Sequence, residues 1–312
     1  MFVGALSGSI CAPKRLINYA PMNLSVVIVA FNEEANLGRT LASVQPLVAD
    51  GKGEIIVVDS GSTDRTVEIA KSFGAKVWVE EWKGFAAQKN SAIDKATGDW
   101  ILSLDADEEL DLPLQRALRE LLDALERLSA LGKNAADHSL PVAGPAFDIG
   151  TDFSGVWIPR KNEFLGRWIR HGGYWPDPKL RLFRRVKGKF ESRAVHEDVH
   201  VEGFVRHIQS GALLHHSYPT LSDYIEHMNR YSSLGAEMVV AKANGNGKVL
   251  FSAINIVLRP LATFVYNYFI RLGFLDGREG LLLHLYHAVY VSWKYAKAWE
   301  LLRQQIRLSS CL

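Results

Sequence analysis

Asp105, Ala106 and Asp107 stand directly after the apolar run WILSL and directly before Glu108 and Glu109. Two carboxylates at this spacing, on the carboxyl end of a parallel strand, point into the crevice where open α/β sheets bind ligands. Hard oxygens there suit Mg²⁺ or Mn²⁺, ions that share their coordination shell with phosphate oxygens. Bound there, such an ion neutralises charge developing on a diphosphate leaving group. Taken alone the triplet is also an ordinary acidic loop. Its neighbours favour the chemical reading. Asn32 and Glu33 follow one β-branched run, and Asp59 with Ser60, Gly61, Ser62, Thr63 and Asp64 follows another, so the polar ends of three strands converge. A carboxylate at Asp59 can accept hydrogen bonds from a nucleobase or ribose, whereas Asn32 and Glu33 fit a helix cap and first-turn acid equally well. No GxGxxG fingerprint and no GxxxxGK[ST] loop occurs, which argues against a dinucleotide dehydrogenase and a P-loop ATPase.

The elements that must position these groups alternate short β-branched runs with helical segments, the arrangement of a mainly parallel sheet with helices on both faces. Strands are expected at residues 24–30, 54–59, 75–79 and 100–105, with helices at 64–73 and 86–96. After Pro113, Leu114, Leu118, Leu121, Leu122, Leu125 and Leu128 recur at helical spacing, so one face of that helix is buried. Residues 132–151 lose periodicity and gain Gly, Pro and Ala, the composition of an exposed insertion. Shorter strands are expected near 156–159, 180–183 and 211–215. Residues 1–22 read as a tail, 23–247 as the catalytic domain and 248–312 as a helical appendage.

In that appendage two apolar runs, 249–258 and 261–270, are split by Arg259 and Pro260. A spanning helix needs about 20 predominantly apolar residues, and a central Arg and Pro count against one. Phe264, Tyr266, Phe269, Arg271, Trp293, Lys294 and Trp299 suit helices lying at a membrane surface; packing on the catalytic domain or on a second copy in a homo-oligomer is the alternative. Over 312 residues the net charge is +2, and there is no Lys/Arg-rich run, so nucleic acid is discounted as a partner. Cys11 and Cys311 sit near opposite ends and imply neither a disulfide framework nor a zinc site.

The runs SVVIVAFNEEANLGRTLASV, EIIVVDSGSTDRT and GFAAQKNSAIDKATGDWILSLDADEEL resemble the family 2 glycosyltransferases of GT-A fold, in motif order and spacing. RHGGYWPDPKLRLFRR, AVHEDV and GFLDGREG are similar to the branch containing lipopolysaccharide core beta-glucosyltransferases. The resemblance implies that Phe31, Asn32 and Glu33 line a nucleotide pocket and that Asp59 binds the base, uracil for preference. It implies Asp107 as metal ligand with Asp105 as its partner, and Gln88, Lys89 and Asn90 on the donor side. The acid that takes the proton from an acceptor hydroxyl in an inverting transfer falls at Glu197 or Asp198. His196 either joins the metal or diphosphate or holds that loop. Arg181 and Arg184 face opposite sides of a strand, and Arg181, nearer the Pro-Asp-Pro turn, is chosen as the donor-phosphate contact. His171, Tyr174 and Trp175 form a candidate acceptor site, because aromatic faces with hydrogen-bonding tips suit sugar rings.

The expected protein is therefore a Mg²⁺- or Mn²⁺-dependent inverting hexosyltransferase of the cytoplasmic face of a bacterial inner membrane. It would move glucose from UDP-glucose to a lipid-linked glycan such as the lipopolysaccharide core. A polyprenyl phosphate acceptor, and a non-catalytic membrane-anchored scaffold for nucleotide sugars, are the alternatives.

Overall fold

Three β-branched runs form the centre of the sheet in the computed structural model, which describes residues 23–131, 153–191, 199–242 and 252–309. β1 (Leu24–Ala30) lies between β2 (Gly53–Asp59) and β4 (Trp100–Asp105), all parallel, and β3 (Lys76–Val79) continues the sheet beyond β2. Val26, Val27, Ile28, Ile56, Val57, Ile101 and Leu102 are completely or almost completely buried, because both faces of this half are covered. On one face pack α1 (Leu37–Val48), α2 (Thr66–Ser72) and α4 (Leu112–Leu131); on the other packs α3 (Phe85–Asp94). Helices on both faces are what the alternating pattern called for. In α4, Leu114, Leu118, Leu121 and Leu125 supply the buried stripe, each such side chain contributing roughly 1.5–3 kcal/mol.

Past β4 the sheet is mixed, with antiparallel and parallel pairs. The remaining strands are β5 (Glu108–Leu110), β6 (Phe153–Phe164), β7 (Arg167–Trp168), β8 (Asp177–Arg184), β9 (Gly188–Phe190), β10 (Val199–Val201), β11 (Phe204–His207) and β12 (Leu213–Tyr218). The order is β3-β2-β1-β4-β8-β6-β12-β5, with β7 and β11 also on β6, and β9 with β10 forming a separate antiparallel pair. The short strands expected at 156–159 and 180–183 fall inside β6 and β8, and the one expected at 211–215 overlaps only the first half of β12. β5 was not anticipated. It pairs antiparallel with β12, placing His215 opposite Glu108, and the His216 N–H donates to the Asp107 carbonyl at 3.1 Å.

The helical layer combines α5 (Leu221–Lys242) with α6 (Arg259–Val265) and α7 (Gly277–Ser309), so it draws on residues either side of position 248. Small residues bring α5 and α7 together: Ala236 and Ala298 are fully buried, and Lys297 Nζ donates to the Asn229 carbonyl at 2.7 Å and to Ser232 Oγ at 2.8 Å. The Arg259–Pro260 step does not break the helix. A π-helical stretch, Ile254–Leu258, leads into α6 with Pro260 in its first turn, and a second π-helical stretch, Tyr266–Ile270, follows. Among the described residues no helix is long and apolar enough to cross a membrane. The 1–22 tail and the 132–151 insertion lie outside the described residues.

Candidate active site

Asp59 and Asp105 end the two strands that flank β1 in the same parallel set: Asp59 is in register with Ala30 and Asp105 with Val29. Asp107 follows two residues on, so the three carboxylates share the carboxyl edge of the sheet. Asn32 adopts a left-handed backbone, φ 55°, and ties the first loop to the second. Its N–H donates to Ser62 Oγ at 2.8 Å, and its side-chain oxygen accepts from the Thr63 N–H at 2.9 Å. Asp59 is almost fully buried; its Oδ1 accepts from the N–H groups of Gly61 at 2.9 Å and Ser62 at 2.8 Å, and its Oδ2 accepts from Ser62 Oγ. Asp59 therefore shapes the turn that a base would meet. Phe31 stands 56% exposed at the mouth, an open ring face.

Asp105 is flanked by two buried cations. Lys89, from α3, places Nζ 2.8 Å from Oδ1, and Arg181, from β8, places Nη2 2.6 Å from Oδ2. The same Arg181 nitrogen donates to Glu108 Oε1 at 2.6 Å, and Arg160 donates to that oxygen at 3.1 Å. Burial opposes ionisation of Asp105, but Arg181 and then Lys89 outweigh it and hold the carboxyl well below its usual range. Arg184, as strand alternation requires, turns away: its Nε donates to the Phe153 carbonyl at 2.8 Å. Glu33 shares the acidic field, since burial first, and the charges of Asp107, Asp64 and Asp105 after it, raise its pKa against a lowering hydrogen bond from Asn36.

Asp107 meets a residue that sequence reasoning did not select. His215 Nε2 lies 3.2 Å from Asp107 Oδ2, and against the opposing effect of burial this histidine lowers the Asp107 pKa. Asn162 Nδ2 donates to Asp177 Oδ2 at 3.1 Å, which orients its Oδ1 toward His215 Nδ1 at 2.7 Å. Ser217 Oγ stands 2.7 Å from the same Nδ1. Protonated at Nε2 the imidazole donates to Asp107; unprotonated there, Nε2 and the carboxylate oxygen are two acceptors that only a metal ion between them would join. Neighbouring ligands about 2.1 Å from one Mg²⁺ stand about 3 Å apart, so this pair fits a shared divalent cation. Among the described residues no group of three or more His, Cys, Asp or Glu side chains converges on a point.

Beside His215 opens a cavity of about 280 Å³, lined by Asn162, Tyr174, Asp177, Ser217, Tyr218 and Leu283 among others. Asp177 is held down to about 2: burial works the other way, but Arg160 and Lys179 prevail. Of the three aromatic candidates, Tyr174 lines this cavity, Trp175 packs edge-on against Trp168 at 5.2 Å, and His171 points its Nδ1 at Asp276, 3.1 Å away. His196, Glu197 and Asp198 lie outside the described residues. The structure thus gathers Asp105, Asp107, Lys89, Arg181 and Glu33 at one strand edge and sets His171 apart from them. His215, Arg160, Asp177 and Asn162 escaped the sequence reading; the histidine doublet within the apolar run GALLHHSY was the available signal.

The model of the family described as "Glycosyl transferase family 2" matches residues 25–190. The lipopolysaccharide core biosynthesis glycosyltransferase LpsC of Rhizobium meliloti is 30% identical over 288 residues, 89% of this chain and 92% of the relative. The uncharacterized glycosyltransferase RC0292 of Rickettsia conorii is 44% identical over 269 residues, 83% of each chain. A crystal structure of glucosyl-3-phosphoglycerate synthase from Mycobacterium tuberculosis, with Mn²⁺, uridine diphosphate and glucosyl-3-phosphoglycerate, is similar at 25% identity and a TM-score of 0.32. That match covers 46% of this chain and 44% of the synthase.

Proposed function

From the premise that this chain belongs to glycosyl transferase family 2 and has its GT-A type α/β fold, we propose that it is an inverting hexosyltransferase. In this reading it takes glucose from UDP-glucose and passes it to a hydroxyl of a lipid-linked glycan, as the name of the Rhizobium relative suggests for the lipopolysaccharide core. The observation that carries the reading is the Asp107–His215 pair beside the Lys89–Asp105–Arg181 cluster at the carboxyl edge of β4.

Phe31, Asn32, Glu33 and the turn organised by Asp59 form the nucleotide side. Lys89 and Arg181 fix Asp105 as an anion, and Lys89 is the cation assigned to the donor side. Asp107 and His215 would hold Mg²⁺ or Mn²⁺, which when bound supplies the charge that stabilises the leaving diphosphate. The acceptor sugar occupies the cavity walled by Tyr174, Asn162 and Asp177. Glu197, with Asp198 as the second choice, removes the acceptor proton.

The acceptor is amphiphilic in this reading, and the apolar residues that α6 and its flanking turns leave open, including Ile254, Leu258, Leu261, Phe269 and Ile270, face the membrane surface. The protein would work at the cytoplasmic face of a bacterial inner membrane.

The experiment is a panel of UDP- and GDP-hexoses offered to the full chain with and without Mn²⁺, with slow hydrolysis and transfer to membrane glycolipid as readouts. UDP-glucose turnover that needs Mn²⁺ and falls at least about a hundredfold in Asp107→Asn is expected. Binding of donor without any turnover would instead mark a nucleotide-sugar scaffold. Full activity in Glu197→Gln would point to an acceptor that is already ionised, such as a polyprenyl phosphate.

A further inference from the structure

Residues 169–175 are a wall between two spaces. On one side Gly173 and Tyr174 line the 280 Å³ cavity next to His215; on the other, Arg170 and His171 line a larger cleft of about 650 Å³. The cleft is completed by Arg167, Trp168, Leu275 and Glu279 among others.

Its charges are unequally spent. Asp276 is almost fully buried and accepts from the backbone N–H groups of Arg170 and His171, at 3.2 and 2.8 Å, and from His171 Nδ1 at 3.1 Å, so its carboxylate is consumed inside the protein. Because that carboxylate only accepts, His171 Nδ1 donates to it and the imidazole is tied to Asp276. Glu279 pairs with Arg167 at 3.5 Å. Arg170 has no carboxylate partner among the described residues; its guanidinium lies 4.4 Å from the centroid of the Trp168 ring, which holds the planar fork in place. Leu275, half exposed on the rim, is followed outward by Leu272, Phe274 and Ile270, all open to solvent. A supported guanidinium beside an apolar margin is the complement of a phosphate on an amphiphile.

We propose that this cleft binds the phosphate of a lipid-linked acceptor while the sugar to be glycosylated sits across the wall in the smaller cavity. The identification of the ligand as acceptor rests on the glycosyltransfer reading; the anion site itself rests on Arg170, Arg167 and the cleft. The phosphate has two possible carriers, the glycan or a neighbouring lipid headgroup, and both present the same chemistry to the guanidinium.

The test uses the full chain without nucleotide sugar, so its outcome is independent of whether UDP-hexose turnover is found. Binding of octyl phosphate and of octyl glucoside, both below micelle-forming concentrations, is measured by calorimetry. Parallel arms use glucose 6-phosphate, and vesicles of phosphatidylglycerol against phosphatidylcholine. Wild type is expected to prefer octyl phosphate over octyl glucoside about tenfold or more, and Arg170→Gln and Arg167→Gln are each expected to lose that preference. Arg206→Gln, on β11 at the far end of β6, should keep it. Loss of glucose 6-phosphate binding in the same variants assigns the phosphate to the glycan, and loss confined to octyl phosphate and phosphatidylglycerol assigns it to a headgroup; either supports the site. Absence of the preference in wild type, its survival in both variants, or an equal loss in Arg206→Gln overturns it.

Discussion

The carboxyl edge of β1, β2 and β4 and the outer face of residues 254–285 are opposites in how they settle their buried and exposed groups. At the sheet edge charged side chains are buried and nearly every one is matched from within: Asp59 by its own turn, Asp105 by Lys89 and Arg181, Glu108 by Arg181 and Arg160. On the helical face large apolar side chains stand in water, with Val257, Leu261, Phe269 and Ile270 each more than half exposed. The first region carries its partners in its own sequence. The second leaves apolar side chains open, and in the membrane reading proposed above its substitutions should cost function without costing stability.

That contrast is open to attack, most forcefully at Arg181. Arg181→Met leaves Glu108 fully buried and Asp105 short of a cation, and a loss of about 3–5 kcal/mol in urea unfolding is expected; a loss below about 1 kcal/mol would show that the edge is not held by its internal pairing. Next comes the chemistry. Asp107→Asn and His215→Gln should each lower turnover about a hundredfold, and the double variant should be little worse than either if both hold one ion; additive losses would separate their roles.

The joint between the regions should respond less. A Cβ added at Gly172, where φ is 68°, would lie 2.0 Å from the His284 ring. Gly172→Ala is therefore expected to cost about 1–3 kcal/mol, and a melting temperature equal to wild type would mean that the two parts are not in such close contact. The smallest stability effect is expected on the open face: Phe269→Asp with Ile270→Asp should leave unfolding within about 0.5 kcal/mol of wild type. Flotation with phosphatidylglycerol vesicles should nevertheless fall sharply. Unchanged flotation would remove the membrane from the comparison.

What could be read beforehand follows the same division. β1, β2 and β4 were legible because a strand covered on both faces needs a continuous β-branched run, and Asp105 and Asp107 because they terminate one. Strand alternation let only one of Arg181 and Arg184 face the site, and nearness to the Pro-Asp-Pro turn selected Arg181, which is the one beside Asp105 and Glu108. The network around Asp107 was not legible. His215 lies more than a hundred residues away, and only the antiparallel pairing of β5 with β12 brings it near. No local pattern encodes that register. Arg160 and Asp177 were hidden for the same reason, being meaningful only once β6 and β8 lie side by side. The helical region was recognised by composition, but the π-helical turns that carry it past Pro260 left no mark in periodicity.

The wall at residues 169–175 has a consequence for anyone recombining this protein with its relatives. Gly172 and Gly173 press on His284 and Arg271, and the Gly172 N–H donates to the Arg271 carbonyl at 2.9 Å. A chimera that imports the C-terminal segment alone would set a foreign knob against a native hollow. Viable crossovers should carry both stretches together, and natural variation in the two should prove to be inherited as one block.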